Sequence, residues 1–208
     1  MLIGSAAQGN DARIKQLVNA GADANIQANF DEWMSPLIWA ARCGNDKSVT
    51  LLIASGANPN SAGQFASGGS GLIKSSTPLI WAASFGYADV VRTLLQAGAN
   101  PNVVEESFLI SDGKFQPAGN GRAALTASAD EKTPELLLTS GAAPNITDGH
   151  GDSPLILAAA RGDLDLCLLL LKSGANASLR NKDGMSAADL AEKTGFRRVV
   201  AAIREAAR

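Results

Sequence analysis

The sequence predicts an all-α repeat solenoid. Helix-turn-helix units stack in one direction and carry β-hairpin fingers, two of them elongated. Three observations carry this. Ser35-Pro36-Leu37-Ile38-Trp39-Ala40-Ala41 recurs as Thr77-Pro78-Leu79-Ile80-Trp81-Ala82-Ala83 and as Ser153-Pro154-Leu155-Ile156-Leu157-Ala158-Ala159. In each copy the hydroxyl residue stands 21 positions ahead of the glycine of a Gly-Ala pair. Those pairs begin at Gly21, Gly56, Gly98, Gly141 and Gly174, separated by 35, 42, 43 and 33 residues. A period of about 20–50 residues marks one supersecondary unit repeated along the chain. Finally, the chain is 46% hydrophobic but 5% aromatic, so its apolar stock is small aliphatic side chains that suit close helix packing.

Each position of the motif has a local reason. Thr77 caps a helix N-terminus through its hydroxyl, and Pro78 at the first helical position sacrifices no hydrogen bond. Ser35-Pro36 and Ser153-Pro154 do the same. Ala82 and Ala83 keep the first helix thin. Gly86 permits the turn that follows. Val90, Val91, Leu94 and Leu95 form the apolar stripe of a second helix, and Gly98 ends it as a left-handed cap.

With turn, cap, proline, small residues and terminal glycine in register over nearly the whole length, the chain resembles the ankyrin-repeat family. The resemblance implies L-shaped repeats stacked into a curved solenoid. Their fingers and first helices would line a concave face that usually binds other proteins. The family's His after Leu is replaced by Ile38, Ile80 and Ile156, so arguments based on that His do not transfer.

Six repeats are expected in a single domain. Residues 1–25 form an N-terminal cap without the proline motif, followed by 26–60 and 61–102. Residues 103–145 form a degenerate repeat, its helices together about three residues shorter than its neighbours'. There Ala123, Ala124, Leu125 and Ala127 suggest the first helix, and Thr133-Pro134 reads as the cap of the second. Residues 146–178 are regular, and 179–208 form a C-terminal cap with Arg197, Arg198, Arg204 and Arg208 outward.

The linkers depart most from the repeat. Eight positions separate Asn145 from Ser153, but the interval from Asn25 to Ser35 is two longer and that from Asn60 to Thr77 nine longer. Asp112-Gly113 between Phe108-Leu109-Ile110 and Lys114-Phe115 is a hairpin signal. Gln64-Phe65-Ala66 and Leu72-Ile73-Lys74 flank a glycine-rich tip. These two fingers are of similar length and suited to edge-to-edge pairing. Phe65, Leu72, Phe108, Ile110 and Phe115 either pack against one another or form a wall that touches a partner. Phe30, Trp33 and Met34 in the first lengthened finger point to contact with a partner or the next finger.

The two residues before each inter-helix glycine are expected in the groove. They are Arg42 and Cys43, Ser84 and Phe85, and Ala160 and Arg161. Phe85 is the leading binding anchor, unless it packs beneath a finger. Trp39 and Trp81 either form a ridge on the groove or, as the favoured expectation, lie largely buried. Asp31, Glu32, Glu105, Glu106, Asp112, Asp148 and Asp152 give the finger side an acidic lean. That suits a basic partner patch, or is ordinary surface charge.

Composition narrows the chemistry. A net charge of −2 does not mark a nucleic-acid binder. No apolar run reaches the roughly 18 residues of a membrane span, and Met1 to Gly4 lacks signal-peptide character. The compartment stays open, with the cytoplasm slightly favoured. Cys43 and Cys167, three repeats apart, form neither disulfide framework nor zinc pattern, and His150 is the sole histidine. No catalytic residue, metal or cofactor is assigned. The expected function is a non-catalytic protein-interaction module, monomeric, binding an unknown protein through Phe30, Trp33, Arg42, Phe65, Ser84, Phe85, Phe108, Ile110, Phe115 and Arg161. The alternatives are an interaction domain of a larger protein and, less favoured, a small-ligand or enzymatic pocket around Cys43 or His150.

Overall fold

The computed structural model describes residues 1–30, 32–67, 72–111, 114–119 and 121–206. Among them, twelve helices follow one another in pairs. They are α1 (Leu2–Ala7) with α2 (Asp11–Asn19), α3 (Pro36–Arg42) with α4 (Asp46–Ala54), and α5 (Pro78–Ser84) with α6 (Ala88–Gln96). Then come α7 (Ala124–Ala127) with α8 (Thr133–Thr139), α9 (Pro154–Arg161) with α10 (Leu164–Lys172), and α11 (Ala187–Thr194) with α12 (Arg197–Ala206). None of these helices is long and apolar enough to cross a membrane.

The caps form as the motif requires. Ser35, Thr77 and Ser153 hydroxyls accept the N–H of Ile38, Ile80 and Ile156 at 3.3, 3.4 and 3.3 Å. Each such cap stabilises by about 1 kcal/mol. The isoleucines that replace the family's histidine are buried, so aliphatic packing fills that layer. The inward alanines Ala40, Ala41, Ala82, Ala83, Ala158 and Ala159 are fully buried between neighbouring pairs.

Two ladders tie successive pairs together. Asn25, Asn60, Asn102 and Asn145 each donate a side-chain N–H to the next Gly-Ala glycine carbonyl, at Gly56, Gly98, Gly141 and Gly174. Each also accepts a backbone N–H two residues beyond that glycine, from Asn58, Asn100, Ala143 and Asn176. This polar ladder stands on the turn side of the solenoid. The second ladder is steric. Tyr87 packs over Gly44, where a Cβ would meet its ring at 2.9 Å, and Phe196 covers Gly162 in the same way. Gly44 (φ +73°) thus serves both the turn and the close approach of the next repeat.

The fourth pair departs further than expected. α7 has four residues and α8 seven, against seven and nine in α5 and α6, so more than three helical residues are lost. Thr133 does not cap α8. Asp130 does, accepting the N–H of Lys132 at 2.7 Å and of Thr133 at 2.6 Å, while the Thr133 hydroxyl donates to it at 2.6 Å. The longer acidic side chain reaches helical donors from further upstream. At α7, Thr126 accepts the Ala123 N–H and donates to the Ala123 carbonyl, replacing the missing hydroxyl cap.

The fingers form one sheet. β1 (Ala28–Phe30), β2 (Glu32–Met34), β3 (Gly63–Ser67), β4 (Leu72–Ser76), β5 (Glu106–Ser111) and β6 (Lys114–Pro117) lie in that order, antiparallel throughout. The first finger is therefore a third hairpin. β2 pairs with β3 (Trp33 opposite Gln64) and β4 with β5 (Ile73 opposite Phe108). The elongated fingers pair edge to edge as their lengths allow.

Candidate functional site

Register sorts the finger side chains onto two faces, because residues directly opposite share a face and neighbours alternate. Glu32, Phe65, Lys74 and Ser107 share one face, joined at its far end by Leu72 opposite Leu109. Trp33, Gln64, Ser75 and Glu106 share the other, with Ile73, Phe108 and Pro117. Phe65 and Leu72 therefore do not pack as one cluster with Phe108. The hairpin pattern revealed alternation but not which side meets the helices. Phe65 decides it, its ring lying 4.9 Å from Trp81 of α5, so the Phe65 face is the one that meets the first helices.

An aromatic row runs on from there. Phe85 stacks on Trp81 at 5.9 Å with planes 9° apart, and Tyr87 stacks on Phe85 at 5.9 Å and 22°. The Arg42 guanidinium lies between two indoles, 4.9 Å from Trp39 and 4.8 Å from Trp81. Each aromatic pair contributes about 0.5–1.5 kcal/mol beyond its buried area, and a cation over an indole about 0.5–2. Trp39 and Trp81 each keep a minor part of their surface exposed, and Trp81 lies against the base of a finger through Phe65. The two tryptophans hold equivalent positions in adjacent repeats, so one guanidinium reaches both rings. Phe85 keeps 49% of its surface exposed, an apolar face held in place by its stacking on Trp81 and Tyr87. Among the described residues, the buried Trp81 Nε1 and Ser84 Oγ have no hydrogen-bond partner.

The other expected site residues are divided. Arg161 is exposed at the position equivalent to Phe85, two pairs further along. Trp33, 46% exposed, and Phe108 stand on the opposite sheet face. The side chains of Phe30, Ile110 and Phe115 lie outside the described residues. Tyr87 and Lys74 were missed. Tyr87 follows the glycine rather than preceding it, and Lys74 reaches the groove only through strand register.

The acidic lean of the fingers does not define this face. Glu106 belongs to the far face, and Glu105 is buried with Arg122 at 3.5 Å. Asp148 accepts the N–H groups of His150 and Asp152 within its own turn. Asp31 and Asp112 lie outside the described residues.

An open cavity of about 720 Å³ lies at the end of the aromatic row, lined by Tyr87, Asp89, Arg92, Asp130 and Lys132 among others, but not by Cys43 or His150. Among the described residues no cluster of His, Cys, Asp and Glu is arranged to hold a metal ion. Cys43 is exposed and Cys167 buried. Burial pushes the Cys167 thiol up to about 12, helped by Asp163 and opposed by Arg161.

The family model for ankyrin repeats (3 copies) matches residues 2–105 and 109–207. The chain belongs to the ankyrin-repeat family. Its fold is that of a chain in the structure of the predatory endopeptidase Bd0816 of Bdellovibrio bacteriovorus in complex with immunity protein Bd3460. The TM-score is 0.75 at 26% identity, over 98% of this chain and 96% of that one. An ankyrin repeat domain from Acinetobacter baumannii AYE aligns with a TM-score of 0.74 at 24% identity, over 99% and 96% of the two chains. The chain is also 47% identical over 51 residues to potassium channel AKT2/3 of Arabidopsis thaliana. That stretch is 24% of this ankyrin-repeat chain but only 6% of the channel.

Proposed function

We propose that this ankyrin-repeat chain is a non-catalytic protein-binding module, an immunity-type inhibitor in character, which grips one partner protein with its concave face and the adjoining finger sheet. The aromatic row carries the reading. An exposed phenylalanine held between Trp81 and Tyr87 has already lost its rotamer freedom, so an incoming surface need not order it. Buried aromatic and arginine anchors supply most of the energy of protein interfaces. Arg42, Phe65, Ser84, Phe85 and Arg161 are the proposed contacts. Trp33 and Phe108 serve only a partner that also wraps the far side of the sheet.

The inhibitor character draws support from the Bdellovibrio complex, which pairs an endopeptidase with an immunity protein. The chain aligned there is covered over 96% of its length, so the likeness runs over nearly all of that chain. A second reading, an interaction domain within a larger protein, is favoured by the short shared stretch in the long plant channel. Fold alone does not choose a partner.

The test is affinity for a partner captured on the immobilised protein. Phe85→Ala is expected to weaken binding by about 2 kcal/mol or more, with Leu109→Ser weakening it less and the helical circular dichroism unchanged. Unaltered affinity in both variants would place the interface elsewhere.

A further inference from the structure

At the groove positions of the first helices the charge has one sign. At the two positions ahead of the inter-helix glycines Gly44, Gly86, Gly162 and Gly195, the residues are Arg42 and Cys43, Ser84 and Phe85, Ala160 and Arg161, and Lys193 and Thr194. Every charged residue in that set is a cation. The sheet adds Lys74, half-buried and opposite Phe65 on the groove face. The described acid on that face, Glu105, is buried against Arg122. Glu32 shares the face by register, and its side chain lies outside the described residues. A chain whose net charge is −2 thus presents a cationic, aromatic strip to whatever enters its groove.

We infer that the element of the partner that enters the groove is an acidic protein segment bearing an aromatic side chain. Its carboxylates meet Lys74 and Arg161 on either side of Phe85, and its ring lies on the exposed face of Phe85. This rests on the protein-binding reading above and gives that partner a chemistry. Charge complementarity of this kind steers encounter and rejects partners of the wrong sign. Aromatic side chains add stacking at the desolvated centre. It reverses the expectation of a basic partner drawn from the acidic finger residues, because Glu106 lies on the far face, Glu105 is buried, and Asp148 is engaged within its own turn.

The experiment uses the whole chain and four fluorescent probes. They are a short peptide of Asp and Glu around one central Trp, the same peptide with Lys for every acid, the acidic peptide with Ala for Trp, and a single-stranded oligouridylate of matching length. The acidic Trp peptide is expected to bind, to weaken as salt is raised, and to lose about tenfold in affinity for Lys74→Glu/Arg161→Glu. The Ala peptide should bind more weakly, and the Lys peptide least. Lys74→Gln/Arg161→Gln should fall between wild type and the reversal, and unchanged thermal midpoints separate charge from folding.

Tighter binding of the Lys peptide, tighter binding of the oligonucleotide, no binding of the acidic peptide to folded protein, or indifference to the reversal would each overturn the inference. If Phe85→Ala abolishes capture of the protein partner while charge reversal has no effect, the binding face stands and its acidic preference falls. If neither substitution affects capture, both fall.

Discussion

The isoleucine that follows Pro-Leu in three repeats shows how much one residue type changes the chemistry of this scaffold. Ile38, Ile80 and Ile156 put aliphatic carbon where a histidine would make hydrogen bonds, and the polar work moves to asparagines on the turn side. In the last repeat the same position holds Asp189, which accepts the Ser186 N–H at 3.0 Å and an Arg180 N–H at 2.9 Å. The Ser186 backbone, then its hydroxyl, and then Arg180 hold the Asp189 carboxyl below the usual aspartate range. A lowered folded-state value stabilises the fold above the unfolded value and loses that contribution as pH falls through the folded one. Relative to wild type, Asp189→Asn should therefore show a constant stability deficit above about pH 5 that closes below about pH 4. Urea midpoints across that range check it. The cysteines give a second prediction at this scale. A mild thiol reagent should label Cys43 in the native protein and reach Cys167 only on unfolding, since Cys167 is fully buried with its thiol pushed up to about 12. Mass spectrometry of labelled peptides reads this directly.

Among the elements, the sheet holds the largest difference between what the residues announce and what they build. Asp112-Gly113 and the glycine-rich tip after Ser67 mark two hairpins, because turn chemistry is local. The third hairpin, Ala28 to Met34, carries no such signal, and Met34 is wholly buried rather than offered to a partner. Strand register decides which apolar residues face the groove, and it depends on pairing between segments more than thirty residues apart. Caps were legible for the same local reason that turns were. Thr133 misled because a hydroxyl before proline is also what a side chain capped by Asp130 looks like. One glycine tests how tightly the finger base is built. A Cβ on Gly121 would stand 1.9 Å from the Glu105 carbonyl oxygen, in a segment where Glu105 N–H bonds to Arg122 and Gly149 N–H to Gly121. Gly121→Ala should cost about 2–3 kcal/mol by overpacking, seen as a lower denaturation midpoint with an unchanged slope.

At the scale of the whole molecule, stability in a solenoid is a sum of repeat and nearest-neighbour terms. The Asn ladder crosses the junctions on both sides of the fourth helix pair without a break, yet that pair has the shortest helices. A pocket of about 140 Å³ opens between Pro134 of α8 and Leu166 and Leu169 of α10. Amides of α7 and α8 should therefore exchange faster than those of α5, α6 and α9, and uniform protection across all pairs would contradict this. In the binding role proposed above, the concave face and the finger sheet form one surface. Hydrogen exchange of the chain with and without its captured partner tests it most directly. The expected result is new protection in residues 63–67, 72–76 and 84–87, with α10 unchanged despite its exposed Leu168. Protection confined to α8 and α10 on the outer side, with the groove unaffected, would contradict it.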